Sequence, residues 1–181
     1  IEINRAEKFY QEKDKNCYIV ARSILKELLS LYIKRPICEI YFHENEYGKP
    51  YLVSEINDLS LQFNISHSNE LIVLGFTLEK PIGIDAEYHK KTNDLSAIAE
   101  HVFSKKEFIF WNMEKEENKI RLFYDLWTCK ESVIKAMGLG FSYHTQNFTV
   151  KNINEIEQNN KDYQNKKIIF HIYKFNDKKN K

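Results

Sequence analysis

Glycine occurs only five times in this 181-residue chain, well under the ~7% of an average protein. A chain so poor in glycine can place left-handed turns and close backbone approaches at few positions. All five lie beside clusters of reactive side chains: Gly48 in EYGKP, Gly75 in LIVLGF, Gly83 in PIGIDAE, Gly138 and Gly140 in MGLGFS. Pro50 and Pro81, two of the three prolines, fall in the same places. Backbone constraint and candidate chemistry therefore coincide along the sequence, although any one of these glycines taken alone is most simply an ordinary turn.

The rest of the composition bounds the class. Lys and Arg number 27 against 26 Asp and Glu, a formal net charge of +1, so there is no basic excess with which to bind nucleic acid. With 43% hydrophobic and 14% aromatic residues the chain is no disordered segment. At this length it buries roughly 70% of its unfolded surface without a disulfide staple. Cys17, Cys38 and Cys129 are odd in number and far apart, the pattern of reduced thiols in a cytoplasmic protein, not of a disulfide frame or zinc site. No apolar run approaches the ~18 residues of a membrane span. No signal peptide is recognisable; the opening IEINRAEKFY lacks an initiator Met and the chain ends at DKKNK just after a strand-like stretch, which suggests that one or both ends are missing.

Periodicity supplies the elements. Tyr18, Val20, Ile24, Leu25, Leu28, Leu31 and Tyr32 recur near 3.6-residue spacing, predicting an amphipathic helix closed before Pro36. ICEIYFHENEYGKPYLV reads as short strands with a turn, and LSLQFNISHSNELIVLGFTLEK as two strands joined by His-Ser-Asn-Glu. IGIDAEY reads as a further short strand. Leu95, Ile98, Ala99 and Val102 mark a helix, Ser104 and Glu107 form an S-x-x-E capping box opening another, and IRLFYDLWTCKESVIKAM is a long helix stopped by Gly138. FTVKNINEI and KKIIFHIYKF resemble an antiparallel pair. The order suggests two comparable α+β halves, 1–80 and 81–181, divided at Lys80–Pro81.

Four motifs carry possible chemistry. On a strand, Asp85 and Glu87 point to one face, where two acids repel unless a cation lies between them; hard oxygen ligands of this kind suit Mg²⁺. Such pairs in isolation are more often a solvated acidic edge. On the long helix Trp127, Glu131 and Lys135 follow at i, i+4 spacing and share a face. The plain alternative is a core Trp beside a surface Glu131–Lys135 ion pair worth ~0.3–0.5 kcal/mol. Ser66 and His67 in FNISHS sit at a strand end, where His67 is a base, a ligand anchor or a turn residue. Lys49 in YGKP offers a cation on a tight turn. Nothing resembles a nucleophile elbow.

Together and in this order, FNISHS, PIGIDAE, FSKKE and LWTCKESVIKAMGLG resemble the signature series of the 4′-phosphopantetheinyl transferases, whose patterns G-I-D-x-E and W-x-x-K-E-x-x-x-K-x-x-G are nearly complete here. The resemblance spans about Phe9 to Val150. With 84 residues ahead of Asp85 the chain is similar to the larger, surfactin-type branch. That likeness implies a monomer of two similar α/β subdomains related by a pseudo-twofold, 1–80 (lacking its first strand) and 81–181, with the active site between them. It also implies coenzyme A as substrate, a serine of an acyl or peptidyl carrier protein as acceptor, and adenosine 3′,5′-bisphosphate as product. By the same likeness Asp85, Glu87 and Glu131 are the Mg²⁺ ligands, and Glu131 accepts the serine proton directly or through a metal-bound water. Lys135 meets the leaving phosphate, while Lys49, Pro50, Ser66 and His67 hold the coenzyme with help from Lys130.

The chain departs from the family at its N-terminus, where Cys17 stands at a position commonly Arg, leaving Arg5, Lys13 and Lys15 as substitutes for phosphate binding. Two other readings of the same residues are a non-catalytic carrier-binding module and a metal-dependent phosphodiesterase. Four intact charged positions, Asp85, Glu87, Glu131 and Lys135, weigh against the first.

Overall fold

A computed structural model describes residues 5–90, 94–152 and 155–158. Among them the order of elements is helix α1 (Glu12–Ile33), strands β1 (His43–Glu44) and β2 (Pro50–Tyr51), β3 (Leu61–Ser68) and β4 (Leu71–Leu78), helices α2 (Leu95–Val102), α3 (Lys105–Asn112) and α4 (Glu116–Met137), and strands β5 (Phe148–Asn152) and β6 (Glu155–Gln158). This is the mixed helix-and-sheet content expected. The described strands form three antiparallel two-stranded ladders.

The chain divides into two compact units, Ile1–Tyr88 with Glu131–Ser142, and His89–Lys130 with Tyr143–Lys181. Ile84, Ala86 and Tyr88 are hydrogen-bonded to side chains of β3, and the last turns of α4 fall in the same unit.

In the first unit, α1 lays Ala21, Leu25 and Leu29 against the core, a stripe at i, i+4 spacing. The buried face is rotated from the one read in the sequence, since Val20, Ile24, Leu31 and Tyr32 are exposed. The helix ends at Lys34, which takes a left-handed conformation and donates its N–H to the Ser30 carbonyl. Leu25 and Leu29 join Ile40, Leu52, Ile56, Leu61 and Phe63 in one buried cluster, edged by Phe42, Leu74 and Phe76. Burying each such side chain contributes roughly 1.5–3 kcal/mol. β3 and β4 pair in register from Leu61↔Leu78 to Ser68↔Leu71, so the turn is only Asn69–Glu70. Asn69 is left-handed, at φ 55°. His67 is therefore a strand residue, paired with Ile72, and not part of the turn.

In the second unit the capping box forms as read: Glu107 N–H donates to Ser104 Oγ and Ser104 N–H to Glu107 Oε2. Phe103, Trp111 and Phe123 make an aromatic core with centroids 5.3–6.4 Å apart. Trp111 Nε1 is satisfied by the Lys119 carbonyl at 2.9 Å, the requirement for a buried indole. FTVKNINEI, read as one strand, contributes to two: Phe148 pairs with Gln158 and Asn152 with Glu155. KKIIFHIYKF lies outside the described residues.

Candidate active site

The IGIDAEY segment was expected as a strand, and it has no backbone ladder of its own. Side chains of β3 hold it instead. Ile84 N–H donates to Asn64 Oδ1 at 2.8 Å, Ala86 N–H to Ser66 Oγ at 3.2 Å, and Tyr88 N–H to Ser68 Oγ at 2.8 Å. Two glycines let the segment in. A Cβ on Gly75 would lie 2.1 Å from Ile84 Cδ1 and 2.9 Å from Ile82 Cδ1, so these isoleucines pack where β4 has no side chain. A Cβ on Gly83 would lie 1.9 Å from the Ser132 carbonyl and 2.3 Å from Ala136 N. The backbone of α4 thus rests directly on Gly83.

This contact brings the charged motifs together. Lys135 Nζ donates to Asp85 Oδ1 at 2.7 Å and to Ser66 Oγ at 3.0 Å, and Ser66 Oγ donates to Asp85 Oδ1 at 3.1 Å. The Asp85 side chain is only 6% exposed and that of Lys135 30%. The surface pair between Glu131 and Lys135, the plain alternative, is therefore not how Lys135 is used; its closest carboxylate contact joins α4 to the Asp85 segment. Ser68 Oγ donates to Glu87 Oε2 at 3.3 Å. Glu131, on the same turns of α4, has its carboxyl pushed above the usual carboxylate range, first by burial and then by Asp85; Lys135 opposes this and Glu87 adds to it. Three acids thus share one electrostatic environment.

Two observations bear on a metal. Asp85 Oδ2 is buried with no hydrogen-bond partner, an unusual expense for a carboxylate oxygen, and with the raised Glu131 it fits an acid set made for a cation. Yet among the described residues no three Asp, Glu, His or Cys side chains are gathered closely enough to hold an ion as they stand. Lys135 neutralises Asp85 in this arrangement.

The remaining expected residues take varied places. Lys49 is half-buried, and its ammonium donates to the carbonyls of Ile82 at 3.0 Å and Ala136 at 3.1 Å, tying the Asp85 segment to the end of α4; burial holds its pKa below the ordinary lysine value. Asn45 does related work. Its Nδ2 donates to the Gly138 carbonyl at 2.8 Å while its Oδ1 accepts the Tyr47 and Lys49 N–H groups. Pro50 pairs with Glu44 in the β1–β2 ladder, Arg5 bonds Glu44, and His67 is exposed on β3.

Lys130, expected to assist with the coenzyme, is used otherwise. Its side chain is 0% exposed, and Nζ contacts Glu107 Oε2 at 2.8 Å and the carbonyls of Thr145 at 2.8 Å and Phe148 at 2.7 Å. An ammonium has three donors, and all three are accounted for inside the second unit. Burial lowers the pKa of this ammonium, and Glu107 opposes that. Trp127 is half-buried and stacked on Phe123 at 6.3 Å.

Sequence reasoning passed over Asn64, Ser68, Asn45 and the Glu107–Lys130 pair. For Asn64, Ser66 and Ser68 the signal was present as polar residues alternating with Phe63 and Ile65 along the strand.

Comparison with known proteins follows the same motifs. The family described as 4′-phosphopantetheinyl transferase superfamily matches residues 81–179, and the one described as 4′-phosphopantetheinyl transferase, N-terminal, matches residues 1–78. The chain belongs to the 4′-phosphopantetheinyl transferase superfamily. It is 33% identical over 141 residues to the 4′-phosphopantetheinyl transferase HetI of Nostoc sp., covering 78% of this chain and 60% of HetI. To the transferase gsp of Aneurinibacillus migulanus it is 32% identical over 143 residues, 79% of this chain and 57% of gsp. To Sfp of Bacillus subtilis it is 32% identical over 148 residues, 81% of this chain and 63% of Sfp. The chain thus spans about three fifths of the length of these relatives. No described helix is long and apolar enough to cross a membrane.

Proposed function

We propose that this protein transfers the 4′-phosphopantetheine group of coenzyme A to a serine hydroxyl of an acyl or peptidyl carrier protein, as a monomer in the cytoplasm. The observation that carries this reading is the Asp85–Lys135–Ser66 cluster beside a Glu131 of raised pKa, built from the family's motifs. The match of one family pattern to residues 1–78 and another to 81–179 supports two subdomains, 1–80 and 81–181, as the family's units.

In the reaction the acceptor Ser oxygen bonds to the β-phosphorus of coenzyme A, the bond from that phosphorus to the bridging oxygen breaks, and adenosine 3′,5′-bisphosphate departs. Glu131 takes the serine proton as general base. Lys135, already turned toward Asp85, supplies positive charge to the departing phosphate, an interaction strongest in the transition state. Asp85, Glu87 and Glu131 would hold a divalent cation, Mg²⁺ by the hardness of three carboxylates, and when bound it would offset the diphosphate charge. Ser66 and Lys49 serve by holding Asp85 and its segment, while exposed His67 remains free to meet a coenzyme phosphate.

The test is a mass spectrum of a purified apo carrier protein after incubation with the protein, coenzyme A and Mg²⁺. A phosphopantetheine adduct on the carrier, absent in EDTA and with Asp85→Asn, is expected. Nucleotide release from coenzyme A without any carrier would point instead to a phosphodiesterase. Carrier binding with neither adduct nor release would leave a non-catalytic module.

A further inference from the structure

Asn64, Ser66 and Ser68 are alternate residues of β3, and each accepts the N–H of an alternate residue in the Asp85 segment: Ile84, Ala86 and Tyr88. Partner numbers rise together, so the segment runs parallel to β3, bonded to its side chains while the β3 backbone pairs with β4. The two serines do more than accept. A hydroxyl has one proton and two lone pairs. Ser66 Oγ accepts from Ala86 N–H and Lys135 Nζ and gives its proton to Asp85. Ser68 Oγ repeats the pattern one rung on, accepting Tyr88 N–H at 2.8 Å and donating to Glu87 Oε2 at 3.3 Å.

The geometry points to Ser68 as a positioning residue that aims the Glu87 carboxylate. Because the Tyr88 N–H occupies the acceptor side of the hydroxyl, the remaining proton is directed at Glu87, and a long exposed side chain is held near one rotamer. Ser66 does this for Asp85 at the buried end of the ladder, and Asn64, which is buried, sets its register. The inference rests on the proposed role of Glu87 in the transfer site. Partners that orient a metal-binding carboxylate typically govern affinity by 10–100-fold, and at this exposed rung the lower end applies.

The experiment uses the full chain as wild type, Ser68→Ala and Ser68→Thr, with three readouts: Mn²⁺ affinity without coenzyme, Mg²⁺ dependence of carrier modification, and amide exchange at Tyr88. Ser68→Ala should speed Tyr88 exchange, weaken Mn²⁺ binding about tenfold and raise the Mg²⁺ needed for half-maximal turnover by about the same factor, while KM for coenzyme A stays within about twofold. Ser68→Thr, which keeps a hydroxyl, should restore all three. Faster Tyr88 exchange with unchanged Mn²⁺ affinity reduces Ser68 to a structural bond and overturns the inference, as does failure of Ser68→Thr to restore binding. If wild type modifies no carrier yet Ser68→Ala still weakens Mn²⁺ binding, the positioning role stands and the proposed transfer falls.

Discussion

Gly83→Ala tests the contact on which the whole site depends. A Cβ there would lie 1.9 Å from the Ser132 carbonyl oxygen, 2.3 Å from Ala136 N and 2.9 Å from Ala136 Cα. All three are backbone atoms of α4, so no side-chain rotation relieves the overlap. The segment and helix must separate by more than an ångström for ordinary contact distances to return. Forced overpacking typically costs 1–3 kcal/mol, and with backbone on both sides the upper end, about 3 kcal/mol, is expected, a fall of roughly 6–12 °C in Tm for a chain of this size. The same separation draws Asp85 away from Lys135, now 2.7 Å apart, and misplacement on that scale costs on the order of a hundredfold in turnover. Gly48→Ala is the control: nothing lies within 4 Å of its Cβ but its φ is +83°, so it should lose about 1–2 kcal/mol from left-handed backbone alone and keep near wild-type turnover. Thermal melts and carrier-modification rates of both variants decide it. A Gly83→Ala protein with wild-type Tm and turnover would refute the argument that α4 is seated on this glycine.

Three further outcomes are expected. Lys135→Ala should lower turnover about a hundredfold at saturating coenzyme A and carrier, and Lys135→Arg should not restore it, because a planar fork does not replace a compact ammonium; turnover within a few-fold of wild type returns Lys135 to a structural role. Glu131 has a raised folded pKa, so it binds its proton more tightly folded than unfolded, and metal-free stability falls as pH rises from about 4.3 through the folded value. In EDTA, Glu131→Gln should therefore melt above wild type at neutral pH, the two converging toward about pH 4; equal melts at neutral pH would show that Glu131 carries no such burden. Lys130→Met leaves Glu107 buried without its cation and should cost about 3–5 kcal/mol, read by denaturant titration; a stable variant with a raised KM for coenzyme A would instead make Lys130 a coenzyme contact.

The helices were legible from an apolar period, a terminus signal or both: the Ser104–Glu107 box opens α3 as written, and Gly138, at φ +71°, follows the last residue of α4. What periodicity misjudged was which apolar residues are covered. On α1 nearly every face carries a Leu, Ile, Val or Tyr, and tertiary packing, not the pattern, selects Ala21, Leu25 and Leu29. IGIDAEY failed as a strand for a related reason. Alternation reports that successive side chains face opposite ways, and it does so equally whether the backbone groups meet another backbone or, as here, the oxygens of Asn64, Ser66 and Ser68.

The charged residues divide along the same line. Spacing alone grouped Asp85 with Glu87 and Glu131 with Lys135, since strand and helix geometry decide those relations locally. It could not say that Lys135 would be nearest Asp85, fifty residues away, and that Asp85 is therefore the acid already paired with an ammonium. The unfavourable burial falls on Glu131. Likewise Lys49 and Lys130 were read as free cations because the sequence displays charge without displaying carbonyls. Lys49 binds two of them and Lys130 two more with a carboxylate. A lysine in a charged motif is as readily a brace between backbone segments as a ligand contact, and only the position of the acceptors separates the two.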